Sequence, residues 1–475
     1  MAEYKSPGVF IEEIPKLPPS IASVETAIPA FIGYTEKAQW KAPDDLRNKP
    51  WRISSLLEYE QYYGNADPEK PGSITVTIRE VPKLEINADI NEANRSKFLM
   101  YYSLQMFFAN GGGPCWIISV DNYTNEGGVI NSARLKAGLD EAAKINEITL
   151  LLFPDAVNLS TETDYYDVYK TAIDQCVDLQ DRFVIMDVYH LADNGTTWRL
   201  DIDLFRNTLS GTTDDLKYAA AYFPRIYTGV DYNYKSPGST TDNDAAIAVT
   251  GFADAATLDA LKGKNNAYYF QAKNAITNIQ MLLPPSSAMA GIYAQVDNLR
   301  GVWKAPANLN IDNATRPEFL ITTQQQEDLN VDVVAGKSIN AIRSFEGRGP
   351  AIVWGARTLA GNSNEWRYIP VRRFFNMVEE STKNATEQFV FEPNDRNTWI
   401  RVKAMISNYL IQQWKAGALM GTTDREAFFV HVGLGETMTE QDIFEGRMII
   451  EIGMAVVRPA EFIILRFMHK MLAES

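Results

Sequence analysis

Two aspartates are the residues of this chain best placed to carry out chemistry. Asp155 follows the apolar run at residues 147–153, and Asp187 ends a second apolar run at residues 182–187. If both runs are buried parallel strands, the two carboxylates lie at the carboxyl edge of one sheet, where α/β proteins usually bind ligands. A ligand-binding or enzymatic function would use these two side chains. Acids in such positions also cap the helix that follows the strand, and Asp155 precedes such a segment. This structural role is the interpretation that the pattern favours.

The other reactive residue types form no recognisable site. His190, His431 and His469 lie far apart in the sequence and show none of the spacings typical of metal ligands. Cys115 and Cys176 are too few for a disulfide framework and are expected to be buried thiols. None of the glycine-rich segments completes a phosphate-binding motif. We therefore expect no catalytic residue, no metal and no cofactor.

The elements that would position the two aspartates are a strand, a helix and a second strand. Residues 147–153 and 182–187 have the continuous apolar character of buried parallel strands. Between them, residues 164–179 repeat apolar side chains at helical spacing, with Val168 and Cys176 on one stripe. This β-α-β unit predicts an α/β fold built on a central, mostly parallel sheet.

Length, composition and charge limit the possible partners. The chain has 475 residues, enough for two to four domains or for one domain with large insertions. Hydrophobic residues make up 45% of it, as in ordinary globular proteins. The net charge of −15 has the wrong sign for binding nucleic acid or an anionic membrane. Neither a signal peptide nor an apolar stretch of membrane-spanning length is present, so we expect synthesis in the cytosol and no direct membrane insertion.

Both ends of the chain look like extended arms that carry apolar strands. Pro15, Pro18 and Pro19 exclude a helix near the N-terminus, and Pro459 interrupts the chain before a predicted strand at residues 461–468. A hydrophobic strand at a chain end must pair with something, and the pattern alone allows pairing within the chain or with another chain. The apolar residues assigned to the two arms are Val9, Phe10, Ile11, Phe462, Ile463, Ile464 and Leu465.

The C-terminal part of the chain forms a separate block by charge. Residues 366–475 contain 13 Lys and Arg against 14 Asp and Glu, a net charge of −1, so residues 1–365 carry −14. The block contains a predicted helix at residues 398–416, capped by Asp395 or Asn397 and ended by Gly417. Its apolar face comprises Val402, Met405, Ile406, Tyr409 and Leu410. A weakly basic face comprises Arg401, Asn408, Gln412 and Lys415, and solvation alone explains most faces of this kind.

Distinctive motifs are spread over the chain from residue 4 to residue 468. They include YKSPGVFIEE at residues 4–13, TAIPAFIGY at 26–34, PPSSAMAGIYA at 284–294, RGVWKAPAN at 300–308, VWGARTL at 353–359, FEPND at 391–395 and PAEF at 459–462. Together they resemble the sheath proteins of contractile phage tails and related contractile injection systems.

The resemblance implies a mixed α/β and α+β architecture with four parts. They are an N-terminal arm at residues 1–24, an outer α/β domain at 25–365 with an inserted subdomain around 190–280, a C-terminal domain next to an inner tube at 366–457, and a C-terminal arm at 458–475. In this family each arm adds a strand to sheets of neighbouring subunits, so the C-terminal domain is completed by other copies of the chain. That arrangement would also satisfy the apolar strands at both chain ends.

The function that the resemblance implies is mechanical. Such a subunit polymerises as stacked six-membered rings around an inner tube and contracts to drive the tube through a target cell envelope. The implied partners are other copies of the chain, the tube protein, and baseplate and terminal cap proteins. Arg401, Asn408 and Lys415 would face the tube. The subunit is expected to assemble in the bacterial cytoplasm. The resulting particle could be a phage tail, a released phage-tail-like particle or a type VI-like system. The length of the chain, about average for the family, favours a phage-tail-like particle.

Overall fold

The computed structural model describes residues 21–191, 198–236, 239 and 241–466, and the structural statements below refer to these residues. Val9, Phe10 and Ile11 therefore lie outside the described residues. Contacts divide the chain into two compact units. The large unit comprises Glu25–Met377 and the chain from Arg458 onward, and the small unit comprises the chain up to Val24 together with Val378–Val457. The predicted domain border between residues 365 and 366 lies before this division and stays a prediction.

The strands of the described chain are short to medium in length. In chain order they are β1 Pro29–Thr35, β2 Trp51–Ile53, β3 Ile74–Arg79, β4 Glu85–Ile90, β5 Cys115–Asn122, β6 Leu150–Leu152, β7 Phe183–Asp187, β8 Ala219–Phe223, β9 Ile226–Thr228, β10 Ala248–Thr250, β11 Met281–Leu283, β12 Ala314–Pro317, β13 Ile339–Phe345, β14 Gly349–Val353, β15 Phe428–His431 and β16 Glu451–Met454.

The α-helices alternate with these strands over most of the chain. They are α1 Leu56–Tyr63, α2 Met100–Ala109, α3 Ser132–Ala142, α4 Glu162–Leu179, α5 Trp198–Thr208, α6 Thr213–Leu216, α7 Leu258–Lys264, α8 Asn266–Thr277, α9 Ser286–Arg300, α10 Thr323–Asn330, α11 Ile369–Thr386, α12 Arg396–Lys415, α13 Asp424–Ala427 and α14 Glu440–Phe444.

The large unit is built on an eight-stranded sheet in the order β14-β13-β8-β7-β6-β1-β5-β2. The six inner strands run parallel, and the edge strands β2 and β14 run antiparallel to their neighbours. The two predicted strands are β6 and β7, which pair in parallel with α4 between them in the chain. The predicted α/β fold with a central parallel sheet is confirmed, although the strand in the run at residues 147–153 is limited to three residues.

Helices cover both faces of this sheet because its strands are apolar on both sides. Along β1, Phe31 faces the core that contains α2 and α9, whereas Ala30 and Ile32 face the core that contains α3 and α4. This alternation is the two-residue period of a strand. The predicted apolar stripe of α4 is buried, including Val168 and Cys176. The sheet edge that carries Asp155 and Asp187 is therefore held between two helical layers.

Two small sheets complete the large unit. One has the order β10-β3-β4 and packs against α7 and α8, and the other has the order β11-β9-β12. Strand β10 pairs in parallel with β3, which lies far earlier in the chain. The region around residues 190–280 thus shares a sheet with residues 74–90, and its assignment as an inserted subdomain stays a prediction.

The small unit is an α+β unit built around α12. This helix was predicted at residues 398–416 and is observed at Arg396–Lys415, with the Asp395 side chain accepting a hydrogen bond from the Thr398 N–H at 2.9 Å. Asp395 rather than Asn397 is therefore the cap, and Gly417 follows with φ of 90°. The predicted apolar face is buried at all five positions. Strands β15 and β16 form an antiparallel pair that no third described strand joins.

Candidate functional site

Asp155 occupies the point of the sheet where α/β proteins most often bind ligands. Strand β1 lies between β5 and β6, so the order of the strands reverses there. The buried Asp155 carboxylate accepts three backbone hydrogen bonds, from Leu99 N at 2.6 Å, Met100 N at 3.1 Å and Tyr34 N at 2.7 Å. Asp155 thus joins the N-terminus of α2 to the end of β1.

The expected structural role of Asp155 is confirmed, but the expected partner was wrong. The sequence suggested that Asp155 caps the segment that follows it, and its side chain makes no capping hydrogen bond there. It caps α2, which lies well before it in the chain. A Cβ atom on Gly33 would lie 2.3 Å from Asp155 Oδ2, so a glycine is needed for this close approach. The protein's own carboxylate fills this part of the crevice.

Asp187 makes a similar but looser connection at the next strand. Its Oδ1 accepts a hydrogen bond from the backbone N–H of Ser286, the first residue of α9, at 2.9 Å. The Tyr165 hydroxyl donates to the Asp187 carbonyl oxygen at 2.7 Å. The second carboxyl oxygen, Oδ2, has no hydrogen-bond partner among the described residues. Both predicted strand-end aspartates therefore attach helices of the same layer to the sheet.

Burial dominates the ionisation of both aspartates. Desolvation raises the pKa of Asp155 from 3.8 to about 6, against the opposing effect of the hydrogen bonds from Tyr34, Leu99 and Met100. Desolvation raises the pKa of Asp187 from 3.8 to about 7, against the opposing effect of Ser286. Raised carboxyl pKa values also occur at catalytic sites. Here they follow from enclosure by apolar strands and helices.

The remaining reactive side chains are also placed in structural contacts. Cys115 and Cys176 are buried free thiols, as predicted, and burial raises the pKa of both. His190 Nδ1 lies 2.7 Å from a carboxylate oxygen of Asp201. Within the described ranges, no three His, Cys, Asp or Glu side chains converge in a way that could hold a metal ion. His469 lies outside the described residues.

The C-terminal arm leaves the large unit at Glu461. Residues 461–466 form no strand in the single chain, and the rest of the predicted strand at 461–468 lies outside the described residues. The side chains of residues 462–465 are 69–80% exposed. Four consecutive exposed apolar residues are unusual on a soluble surface and mark an interaction segment.

The weakly basic face of α12 is exposed, as predicted. Arg401, Asn408 and Lys415 all lie on the surface of the small unit. Arg401 Nη2 lies 2.7 Å from Glu392 Oε2, and both side chains are about half exposed. This surface ion pair offsets part of the positive charge of the face, and pairs of this kind are weak.

Sequence reasoning missed two exposed aromatic residues of the small unit. Phe391 is fully exposed with a positive φ of 69°, a rare conformation for a bulky residue. Phe444 is 88% exposed at the end of α14. A hydrogen bond from the Asn394 side chain to the Arg447 carbonyl oxygen, at 2.9 Å, connects the loops that follow these residues. The motif at residues 391–395 was a sequence signal for Phe391, whereas the five-residue helix that ends at Phe444 is too short to show a periodic pattern.

Comparison with known proteins identifies the family. Residues 362–469 match the phage tail sheath C-terminal domain. The structure resembles the anti-feeding prophage (AFP) helical sheath in its contracted state with a TM-score of 0.63 and 30% sequence identity, covering 98% of this chain and 100% of that chain. The chain belongs to the contractile tail sheath family. The sheath of the PVC extracellular contractile injection system, also in a contracted state, gives a TM-score of 0.64 at 29% identity and 99% coverage of both chains.

Tail sheath proteins of phages match shorter parts of this sheath protein. The one from Enterobacteria phage T4 is 26% identical over 174 residues, which is 36% of this chain and 24% of the T4 protein. The one from Burkholderia phage BcepMu is 29% identical over 150 residues, 30% of this chain and 31% of that protein. The chain thus matches about a quarter to a third of the length of these phage relatives.

The relatives belong to phage tails and to extracellular injection particles. One further match is a chain from the contracted AFP baseplate, with a TM-score of 0.67 and 26% identity. Sheath subunits are structural proteins of such assemblies. None of the described helices of this sheath protein is long and apolar enough to cross a bilayer.

Proposed function

We propose that the protein is a structural, non-enzymatic subunit of a contractile sheath. It polymerises as stacked six-membered rings around an inner tube and contracts to drive that tube through a target cell envelope. The observation that carries this proposal is the likeness to the contracted AFP sheath, which extends over 98% of this chain at 30% identity. The alternative of a ligand-binding protein or enzyme is not favoured, because backbone N–H groups of the chain already donate to both oxygens of Asp155 and to Oδ1 of Asp187.

The subunit assembles in the bacterial cytoplasm and ends up in a phage tail or a released phage-tail-like particle. Its partners are other copies of itself, the inner tube protein, and baseplate and terminal cap proteins. The outer part at residues 25–365 faces outward. It carries most of the net charge of −14 of residues 1–365, and this negative charge keeps neighbouring particles apart. The part at residues 366–457, of nearly neutral charge, lies next to the tube.

The arms at residues 1–24 and 458–475 join neighbouring subunits by strand addition. A suitable acceptor is the β15–β16 pair of the small unit, whose strands are four residues long. Two short strands are only marginally stable in water, and added strands would satisfy their unpaired backbone groups. Phe429 on β15 is 49% exposed and offers an apolar contact to an incoming strand.

The tube contacts the exposed face of α12 through Arg401, Asn408 and Lys415. Weak contacts are suited to this role because a sheath that bound its tube tightly could not slide along it during contraction. The ion pair of Arg401 with Glu392 is consistent with a contact that is weak and sensitive to salt.

Electron microscopy of the protein expressed alone tests the proposal. We expect rings or contracted tubes, whereas a small, uniform oligomer without tubes would contradict it. The variant Ile463→Asp with Leu465→Asp should fold normally and form no tubes, because charged side chains replace the apolar face of the donated strand. Leu57→Asp is a matched control, since Leu57 is exposed to the same extent as Leu465, at 74% and 73%.

A further inference from the structure

We propose that Arg357, Asn330 and Tyr368 form a carboxylate clasp that fixes the root of the C-terminal arm by binding Glu461. The clasp residues would be positioning residues for assembly, with a small effect on folding of the subunit. This inference rests on the proposed sheath function. The clasp orients the C-terminal arm toward a second copy of the chain.

The clasp saturates both oxygens of the Glu461 carboxylate. Arg357 donates from Nη2 to Oε2 at 2.6 Å and from Nε to Oε1 at 3.0 Å, which is a bidentate arrangement. Asn330 donates its side-chain amide to Oε1 at 2.6 Å, and the Tyr368 hydroxyl donates to Oε2 at 3.1 Å. Paired donors of this geometry give directional as well as electrostatic specificity for a carboxylate.

The receptor is held in place independently of the arm. The backbone N–H of Arg357 donates to the Asn340 side-chain oxygen at 2.8 Å, and the Asn340 amide donates back to the Arg357 carbonyl at the same distance. The Asn330 carbonyl accepts a hydrogen bond from the Ser338 hydroxyl at 2.6 Å. Because these contacts involve residues 330–357, the clasp is preorganised before Glu461 enters it.

Burial and charge make the clasp a stable fixed point. The Arg357 side chain is only 4% exposed, and the Glu461 side chain is 20% exposed. Desolvation opposes ionisation of Glu461, but the hydrogen bonds from Arg357, Asn330 and Tyr368 outweigh it and lower the pKa of this carboxyl. Glu461 is therefore fully charged at neutral pH.

The fixed root determines which side chains the arm presents. Immediately after Glu461, the exposed side chains of residues 462–465 alternate between two faces if the segment is extended, with Ile463 and Leu465 on one face. A slip of one residue would exchange these faces. The clasp holds Glu461 at one position, so each following residue lies at a set distance from that position. It therefore fixes both the reach and the register of the arm when the arm pairs with another copy.

Protease protection and tube formation test the clasp together. Glutamyl endopeptidase cleaves after glutamate, and we expect it to release the peptide that begins at Phe462 slowly from the wild-type subunit. In Arg357→Met the cleavage should be at least 10-fold faster, with Tm unchanged. The protein concentration needed for tube formation should rise at least 10-fold. Arg348→Met is the matched control, because Arg348 is exposed and makes no ion pair with a described residue.

The possible outcomes separate the clasp from the sheath function. The clasp alone would be overturned if the wild-type protein forms tubes and Arg357→Met is cleaved and assembles just as the wild-type protein does. Absence of tubes from the wild-type protein would overturn the proposed function. If Arg357→Met fails to fold, Tyr368→Phe and Asn330→Ala decide the question, since each removes one hydrogen bond. Faster cleavage and weaker assembly in both support the clasp, and wild-type behaviour in both overturns it.

Discussion

Two of the arginine–carboxylate pairs in the large unit are both bidentate but differ in their consequence. Arg373 donates to both oxygens of Asp297, at 3.0 and 2.5 Å, much as Arg357 does to Glu461. Both arginines are 3–4% exposed. Asp297 lies within α9, where it also accepts a hydrogen bond from the Thr26 hydroxyl at 2.5 Å. Glu461 instead lies on the outgoing chain end.

The difference between the pairs is what each carboxylate can do when its arginine is lost. Asp297 is 6% exposed and fixed in a helix, so it would remain buried without a counter-charge. Glu461 is followed by an exposed segment and can move into water. The cost of breaking a buried ion pair comes largely from the charge left behind. The Arg373–Asp297 pair therefore stabilises the core, whereas the Arg357–Glu461 pair orients the C-terminal arm.

The largest effect is expected for Arg373→Met. This change strands the Asp297 carboxylate and should lower the free energy of unfolding by about 3–5 kcal/mol. Chemical denaturation of Arg373→Met and Arg357→Met, side by side, provides the measurement. Equal losses of stability in the two variants would remove the distinction between the pairs.

A smaller loss is expected for Asp155→Asn. The amide nitrogen would face one of the three backbone N–H groups that now donate to Asp155, leaving a buried donor without an acceptor. We expect a loss of about 1–3 kcal/mol at pH 8, measured by urea denaturation. If the free energy of unfolding falls no more than it does in Asp187→Asn, the hydrogen bonds between Asp155 and the N-terminus of α2 are not needed for the fold.

Asp187→Asn should change how the free energy of unfolding depends on pH more than it changes the magnitude of that free energy. The folded-state pKa of about 7 lies above the unfolded value of 3.8, so the unfolded chain loses this proton first as pH rises. The stability contributed by Asp187 is complete below pH 3.8 and is lost as pH rises through about 7. The variant should therefore show a flatter fall in unfolding free energy between pH 4 and 7, with normal tube formation. A substrate- or metal-dependent activity abolished by this change would restore the enzymatic alternative.

The smallest effect on stability is expected for Arg401→Glu combined with Lys415→Glu. Both side chains are exposed, and loss of the Arg401–Glu392 pair should cost at most about 1 kcal/mol. The effect should appear in assembly, as association with the tube in co-sedimentation that is weaker and that added salt does not weaken further, because the salt-sensitive attraction has been removed. Wild-type association would remove α12 from the tube interface.

Local patterns predicted the elements well and the long-range contacts poorly. The helix at residues 396–415 was predictable within two residues because its cap, its apolar stripe and its following glycine are all encoded nearby. The β-α-β unit with Asp155 and Asp187 at its strand ends was predictable for the same reason. The partners of Asp155 lie 55 and more residues away, and Arg357 is 104 residues from Glu461. No spacing rule connects such positions, since the fold alone brings them together.

The two-stranded β15–β16 sheet also bears on how a cell would handle surplus subunits. Its strands are four residues long and have no further strand partner among the described residues. Backbone amides at such an edge exchange with solvent quickly and are accessible to proteases. A subunit that remains alone would thus expose a degradable region that polymerisation protects. Under the proposed assembly, turnover of the unassembled chain would remove surplus subunits.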